Sequence, residues 1–141
     1  MIWMNKVELS TLNKMSKNMV SLLDIQFSEI TDDSLTATMP VDHRTQQPFG
    51  ILHGGASVVL AETVGSVASN LVIGQGDFLP VGLEINANHL RPVTEGRVSA
   101  KCTPIHIGKK SHVWDIRITN DEGKMVCVSR LTVAIIEKPR V

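Results

Sequence analysis

The sequence predicts an α+β domain in which a curved antiparallel sheet of five or six strands wraps one long central helix. Three observations carry that expectation. From about Gly54 to Val72, residues Ala56, Leu60, Thr63, Val64, Val67 and Leu71 recur at the helical period. Everything after Gly74, Gly76 and Asp77 alternates with period two, and a strand, turn, strand unit precedes the helix. No internal repeat, low-complexity tract or Pro/Gly/Ser-rich linker divides the 141 residues, so residues 1–141 read as a single domain.

Glu8 to Met15 spaces Leu9, Leu12 and Met15 three apart, which predicts a short amphipathic helix capped by Ser10 or Thr11. Leu23, Ile25 and Phe27 alternate with polar residues, Thr31-Asp32-Asp33-Ser34 forms a turn cluster, and Leu35, Ala37, Met39 and Val41 alternate again. Asp42 to Gly50 has Pro48 and no periodicity, and it leads into Leu52-His53-Gly54-Gly55 at the mouth of the long helix. Opposite the apolar stripe of that helix, Val58, Ala61, Glu62, Gly65, Ser66, Ala68 and Ser69 make a small-residue face with one charge, a surface suited to close packing. Val81 to Ala87, Val98 to Cys102, Trp114 to Ile118 and Met125 to Ile136 then predict four strands. Gly108-Lys109-Lys110 and Asn120-Asp121-Glu122-Gly123 are the hairpin turns of the last three. Only one sheet face meets the helix, so self-association is expected to cover remaining apolar surface.

Composition removes several functions. Fourteen Lys and Arg balance fourteen Asp and Glu with no basic run, which argues against nucleic acid. No stretch approaches the roughly 18 apolar residues of a membrane span, and Met1 to Ser10 lacks a signal-like apolar region, so a cytoplasmic protein with no membrane partner is expected. Cys102 and Cys127 lack CxxC or Cys/His spacing and read as reduced core thiols. HExxH and GxSxG are both missing and the five His are unclustered, so neither a metal site nor a serine hydrolase is expected.

His53-Gly54-Gly55 and Glu62 remain as the candidate chemistry. A first helical turn has backbone N–H groups without intrahelical partners and the positive dipole end, and glycine there lets a carbonyl oxygen approach. Glu62 stands among small and apolar residues, where a partly desolvated charge needs a partner or a purpose. Eight residues of helix separate it from Gly54, ~12 Å along the axis, too far for both to touch one reacting carbon. If both act on one substrate, they belong to different subunits, as in two helices packed antiparallel about a two-fold axis through the small-residue face.

The run RTQQPFGILHGGASVVLAETVGS at Arg44 to Ser66, with VGLEINANHLRPV at Val81 to Val93, resembles the hotdog-fold acyl-CoA thioesterases. Among them it is most similar to the 1,4-dihydroxy-2-naphthoyl-CoA hydrolases of menaquinone biosynthesis, over nearly the whole chain. PFG, LHGG and AE at these spacings carry the likeness. The resemblance implies that Glu62 is the catalytic carboxylate, attacking the thioester or activating water. It implies that the Gly54 N–H polarises the carbonyl from the other subunit, that Gln47 and His53 line the same pocket, and that Ser66 bonds the carboxylate or its water. Gly82, the segment His89-Leu90-Arg91-Pro92 and the turn His106-Ile107-Gly108-Lys109-Lys110-Ser111 match positions that hold CoA. The turn also makes sense on its own terms, since a glycine turn with two lysines offers N–H groups and positive charge to phosphates.

The expected activity is hydrolysis of an aromatic acyl-CoA, foremost 1,4-dihydroxy-2-naphthoyl-CoA, without metal or cofactor, by a homo-oligomer that is a tetramer built as a dimer of dimers. A broad-specificity thioesterase and a proofreading enzyme acting on an acyl or aryl carrier protein are alternatives, because Phe49, Val59, Leu60 and Val67 suit an aryl or a medium acyl group. A non-catalytic acyl-CoA-binding module would have no use for Glu62. A hydratase of the same fold would place its acid near the helix start, whereas Glu62 lies two turns in.

Overall fold

Period-two alternation from residue 26 onward closes into one six-stranded antiparallel sheet. In the computed structural model, which describes residues 1–14 and 17–140, the strands are β1 (Gln26–Ile30), β2 (Leu35–Pro40), β3 (Phe78–His89), β4 (Arg97–Ile107), β5 (Ser111–Thr119) and β6 (Met125–Glu137). Their order across the sheet is β1-β2-β4-β5-β6-β3. The two expected hairpins join β4 to β5 and β5 to β6. Strand β3 pairs with β6, so the edge strand that follows the helix is held by the last strand of the chain.

Three helices interrupt this pattern: α1 (Leu9–Leu12), α2 (Met19–Leu22) and α3 (Gly54–Ile73). The first is shorter than expected. Its N-cap is Glu8, without a side-chain cap, and Ser10 and Thr11 lie inside the turn; Met15 falls outside the described residues. The periodicity gave no sign of α2, but Asn18 and Ser21 form a capping box: the Asn18 side chain accepts from Val20 and Ser21 N–H, and Ser21 Oγ accepts from Asn18 N–H. Leu23, expected to open the first strand, is instead the C-cap of α2, and Asp24 at φ 52° turns the chain into β1. The Asn13 amide then imitates a neighbouring strand, giving a hydrogen bond to Phe27 O at 2.8 Å and taking one from Phe27 N at 2.7 Å.

The central helix sits where the sequence puts it but is rotated relative to the expected stripe. Ser57, Leu60, Ala61, Val64, Gly65, Ala68 and Ser69 are buried against the chain's own sheet, while Ala56, Thr63, Val67 and Leu71 are half-buried. Ala61, Gly65, Ala68 and Ser69 of the small-residue face therefore pack inward, while Val58, Glu62 and Ser66 of the same face are half-buried. Bulk on the sheet explains why. Trp114, Ile116 and Leu131 fill the concave side, and a Cβ on Gly65 would stand 2.5 Å from Leu131 Cδ2 and 3.2 Å from Ile116 Cδ1; only small residues let the helix axis come this close. By length and a mean hydropathy of 1.6 the helix is apolar enough to cross a membrane, contrary to the sequence expectation, and here it forms the core of the sheet.

The loop from Val41 to His53 is tied down from several sides. Buried Thr45 donates Oγ1–H to Pro40 O at 2.8 Å, Leu52 N–H reaches Val93 O, and His53 N–H reaches Thr45 O. Asp42 accepts from Arg44 N, Nε and Nη2 at 2.9, 3.1 and 2.7 Å. The guanidinium hydrogen bond, followed by the backbone one, lowers the Asp42 pKa to about 2. A carboxyl whose folded pKa lies below its unfolded value contributes stability that is complete above the unfolded value of 3.8 and disappears as pH falls through about 2. Thermal unfolding from pH 6 to pH 2 is expected to lose stability across that window. Asp42→Asn is expected to flatten part of this acid limb; an unaltered limb would show that the pair contributes nothing.

Candidate active site

The loop and helix α3 meet at His53. This residue is the N-cap of α3, and its Nδ1 accepts from Gly55 N–H at 2.8 Å. An imidazole that accepts at Nδ1 carries its proton on Nε2 when neutral, so His53 is left with a donor. His53 O takes the N–H groups of Ala56 and Ser57 at 3.0 and 3.3 Å. The Gly54 N–H is then the first-turn donor with no partner among the described residues. The site is crowded at this point: a Cβ on Gly54 would lie 2.7 Å from Nε2 of His89, the last residue of β3, so the imidazole would have to shift.

Gln47 faces the same space. Its Oε1 accepts from Phe49 N–H, while its backbone N–H and O bond Ile51 and Gly50, in a turn closed by Gly50 at φ 81°. With Oε1 occupied, the amide NH2 is the end of Gln47 that can donate. Gln47, Gly54, Ser57, His89, Leu90, Arg91 and Pro92 line a cavity of about 480 Å³. The structure thus collects into one pocket six of the residues singled out in the sequence.

Glu62 lies further along α3, where the helix packs on β3. It is half-buried, and its Oε1 packs on Gly82 of β3 so closely that a Cβ there would collide with it. The ladder between β3 and β6 shifts register at this place, between Gly82 and Glu84. Ser66 is half-buried one turn further along the helix. Glu62 and Gly54 remain on one helix about 12 Å apart, so a single protomer does not bring the carboxylate to the donor. The inward packing of Ala61 and Gly65 leaves Val59, Glu62, Thr63, Ser66 and Val67 as the half-buried, outward part of the helix.

The third group stands near the C-terminal end of α3. Ile107, Gly108 and Lys109 border a cavity of about 510 Å³ together with Val72, Ile73, Phe78, His112 and Ile135. His106 packs over Gly108, with Nε2 2.6 Å from where a Cβ would be, while Lys109 and Lys110 are exposed. Among the pocket candidates, Phe49 is 90% exposed and available, but Leu60 is completely buried in the core and cannot line a substrate pocket. Cys102 and Cys127 are buried thiols, both with pKa raised by burial, as expected for core residues. Ser57 in the first cavity and His112 in the second were not anticipated as lining residues, since neither belongs to a local motif.

An antiparallel six-stranded sheet around one long central helix is the architecture of the hotdog thioesterases. The chain belongs to the thioesterase superfamily, whose profile matches residues 49–127, and it is a thioester hydrolase. It is 57% identical to the 1,4-dihydroxy-2-naphthoyl-CoA hydrolase of Escherichia coli, over 96% of this chain and 100% of that protein. It is 48% identical to the proofreading thioesterase EntH of Cronobacter sakazakii, over 96% of this chain and 99% of that one. A crystal structure of a mutant thioesterase from Pseudomonas aeruginosa superposes with a TM-score of 0.95 at 51% identity, covering 98% of this chain and 100% of the other.

Proposed function

We propose that this protein hydrolyses an aromatic acyl-CoA, foremost 1,4-dihydroxy-2-naphthoyl-CoA, to the free acid and CoA. The observation that carries the reading is the placement along α3: Glu62 against Gly82 of β3, and the Gly54 N–H, without a partner among the described residues, about 12 Å back along the helix. A second copy related by a two-fold axis, meeting the outward part of α3 and the edge of β3, unites the Glu62 of one protomer with the Gly54 end of its neighbour. Gly54 N–H, with Gln47 and His53, polarises the thioester carbonyl. Glu62 attacks the carbonyl carbon or takes a proton from the attacking water, with Ser66 orienting it. The C–S bond breaks and CoA leaves as thiolate and is protonated; in the general-base route the water oxygen is then in the acid, and in the nucleophilic route a water next cleaves the acyl–Glu62 anhydride to release the acid and the free carboxylate. Gly82, His89 to Pro92 and the His106 to Ser111 turn hold CoA. Two such dimers form the tetramer, and the enzyme works in the cytoplasm.

A second reading is favoured by the likeness to the proofreading thioesterase: the physiological substrate is an aryl group misloaded on a carrier protein, with the same chemistry. A kcat/KM panel over dihydroxynaphthoyl-CoA, benzoyl-CoA, straight-chain acyl-CoA esters and an aryl-loaded carrier protein separates them. Dihydroxynaphthoyl-CoA is expected to lead by at least about tenfold, equivalent to ~1.4 kcal/mol; a leading carrier-protein substrate overturns the CoA assignment, and uniform values mark a broad-specificity enzyme. Replacing Lys109 and Lys110 by Ala is expected to raise KM for CoA esters with little change in kcat, through lost phosphate contacts. An unchanged KM would remove the turn from CoA recognition.

A further inference from the structure

Beneath the Lys109 turn lies a polar chain that the chemistry above does not use. His112, the second residue of β5, is 1% exposed and Ser69 of α3 is fully buried. Ser69 Oγ receives Nε1–H of Trp114 at 2.8 Å and stands 2.9 Å from His112 Nδ1. The ring borders the same cavity as Ile107, Gly108 and Lys109 of the turn. With Ser69 donating to Nδ1, the neutral ring carries its proton on Nε2. One hydrogen-bonded line therefore joins Trp114, Ser69 and His112, the second residue after the turn between β4 and β5. Burial, with His106 nearby, lowers the His112 pKa, which keeps the ring in this neutral form.

The same turn is fastened at two more points: Gly108 N–H bonds Ser111 O, and Ile135 N–H bonds Lys110 O, both at 2.9 Å. Without the His112 line, those bonds would fix the turn only to its own hairpin and to β6. His112 adds a tie to the helix that carries Glu62. A buried polar line costs desolvation that an apolar residue in the same place would not, so it is a device for fixing geometry rather than for adding stability.

We infer that His112 is a positioning residue, which sets the His106 to Ser111 turn at a fixed distance from α3 so that the turn meets the phosphate end of CoA while the thioester lies at Glu62. The inference rests on the assignment of that turn to CoA. Its test compares, in the intact oligomer, a CoA thioester with the N-acetylcysteamine thioester of the same acid, which lacks the nucleotide. Phe at position 112 keeps a ring but gives Ser69 no acceptor, whereas Asn places its amide oxygen near the position of Nδ1. His112→Phe is expected to raise KM for the CoA ester about tenfold, with kcat and the KM of the short thioester within about threefold of wild type. His112→Asn is expected to restore KM for the CoA ester to within about threefold. Parallel changes for both thioesters, or an unmoved KM for the CoA ester, overturn the inference. If His112→Phe yields no folded oligomer, Ser69→Ala, which loosens the ring from the helix, is expected to give the same split and is judged by the same outcomes. A wild-type enzyme that uses both thioesters with equal kcat/KM rejects the CoA-holding turn itself, and the role of His112 with it.

Discussion

Glu62→Gln is expected to lower kcat by about three to five orders of magnitude while KM for the CoA ester stays within about threefold. The carboxylate is half-buried against Gly82, in a place where its oxygen already excludes any side chain from the strand. A Gln amide fills the same volume and preserves the packing, so the loss reports chemistry and not shape. Steady-state kinetics of the folded oligomer check it, and activity within tenfold of wild type would remove Glu62 from the reaction. Single turnover in labelled water then tests for the anhydride. Unlabelled carboxylate oxygen of Glu62 appearing in the acid product identifies an anhydride opened at the Glu62 carbonyl; label from water alone is the result of general-base catalysis or of an anhydride opened at the acyl carbonyl.

Gly54→Pro is expected to cost about 10² to 10³ in kcat, the usual loss when one oxyanion donor is removed. The helix tolerates the change, because position 54 is the first helical residue, where proline is accepted. His53 already has φ −68° and ψ 130°, the extended conformation that a residue before proline requires. What disappears is the N–H. The new Cβ also presses on His89, so Gly54→Ala is the necessary control: it introduces the same crowding at 2.7 Å and retains the donor. Gly54→Pro is expected to be at least about tenfold slower than Gly54→Ala. Equal kcat for the two variants would assign the effect to His89 and exclude the backbone donor.

Much of this arrangement was legible in the sequence for definite physical reasons. The strands alternate because one sheet face is buried, and the turn residues at Gly108 and Gly123 mark their ends. The Gly54-to-Glu62 spacing gave the separation along the helix directly. The orientation of the helix was not legible, because both of its faces lack charge except at Glu62 and the 3.6-residue period then has no contrast to read. Which face is inward depends on Trp114, Ile116 and Leu131, side chains of strands formed much later in the chain. Likewise, no local pattern links Gly82 to Glu62, His89 to Gly54 or His112 to Ser69; each is a contact between helix and sheet. The capping box at Asn18 and Ser21 was written in the sequence and is a signal that hydrophobic periodicity passes over.

The pairing of β3 with β6 also dictates the order in which the molecule can be built. Gly54–Ile73 is synthesised as an apolar rod of mean hydropathy 1.6, and Phe78 then waits for Glu137, made well after it, before its strand has a neighbour. Until β6 leaves the ribosome, the rod and the naked edge beside it are exposed to other nascent chains. The rate at which β6 is made and emerges therefore sets how long this apolar surface stays uncovered.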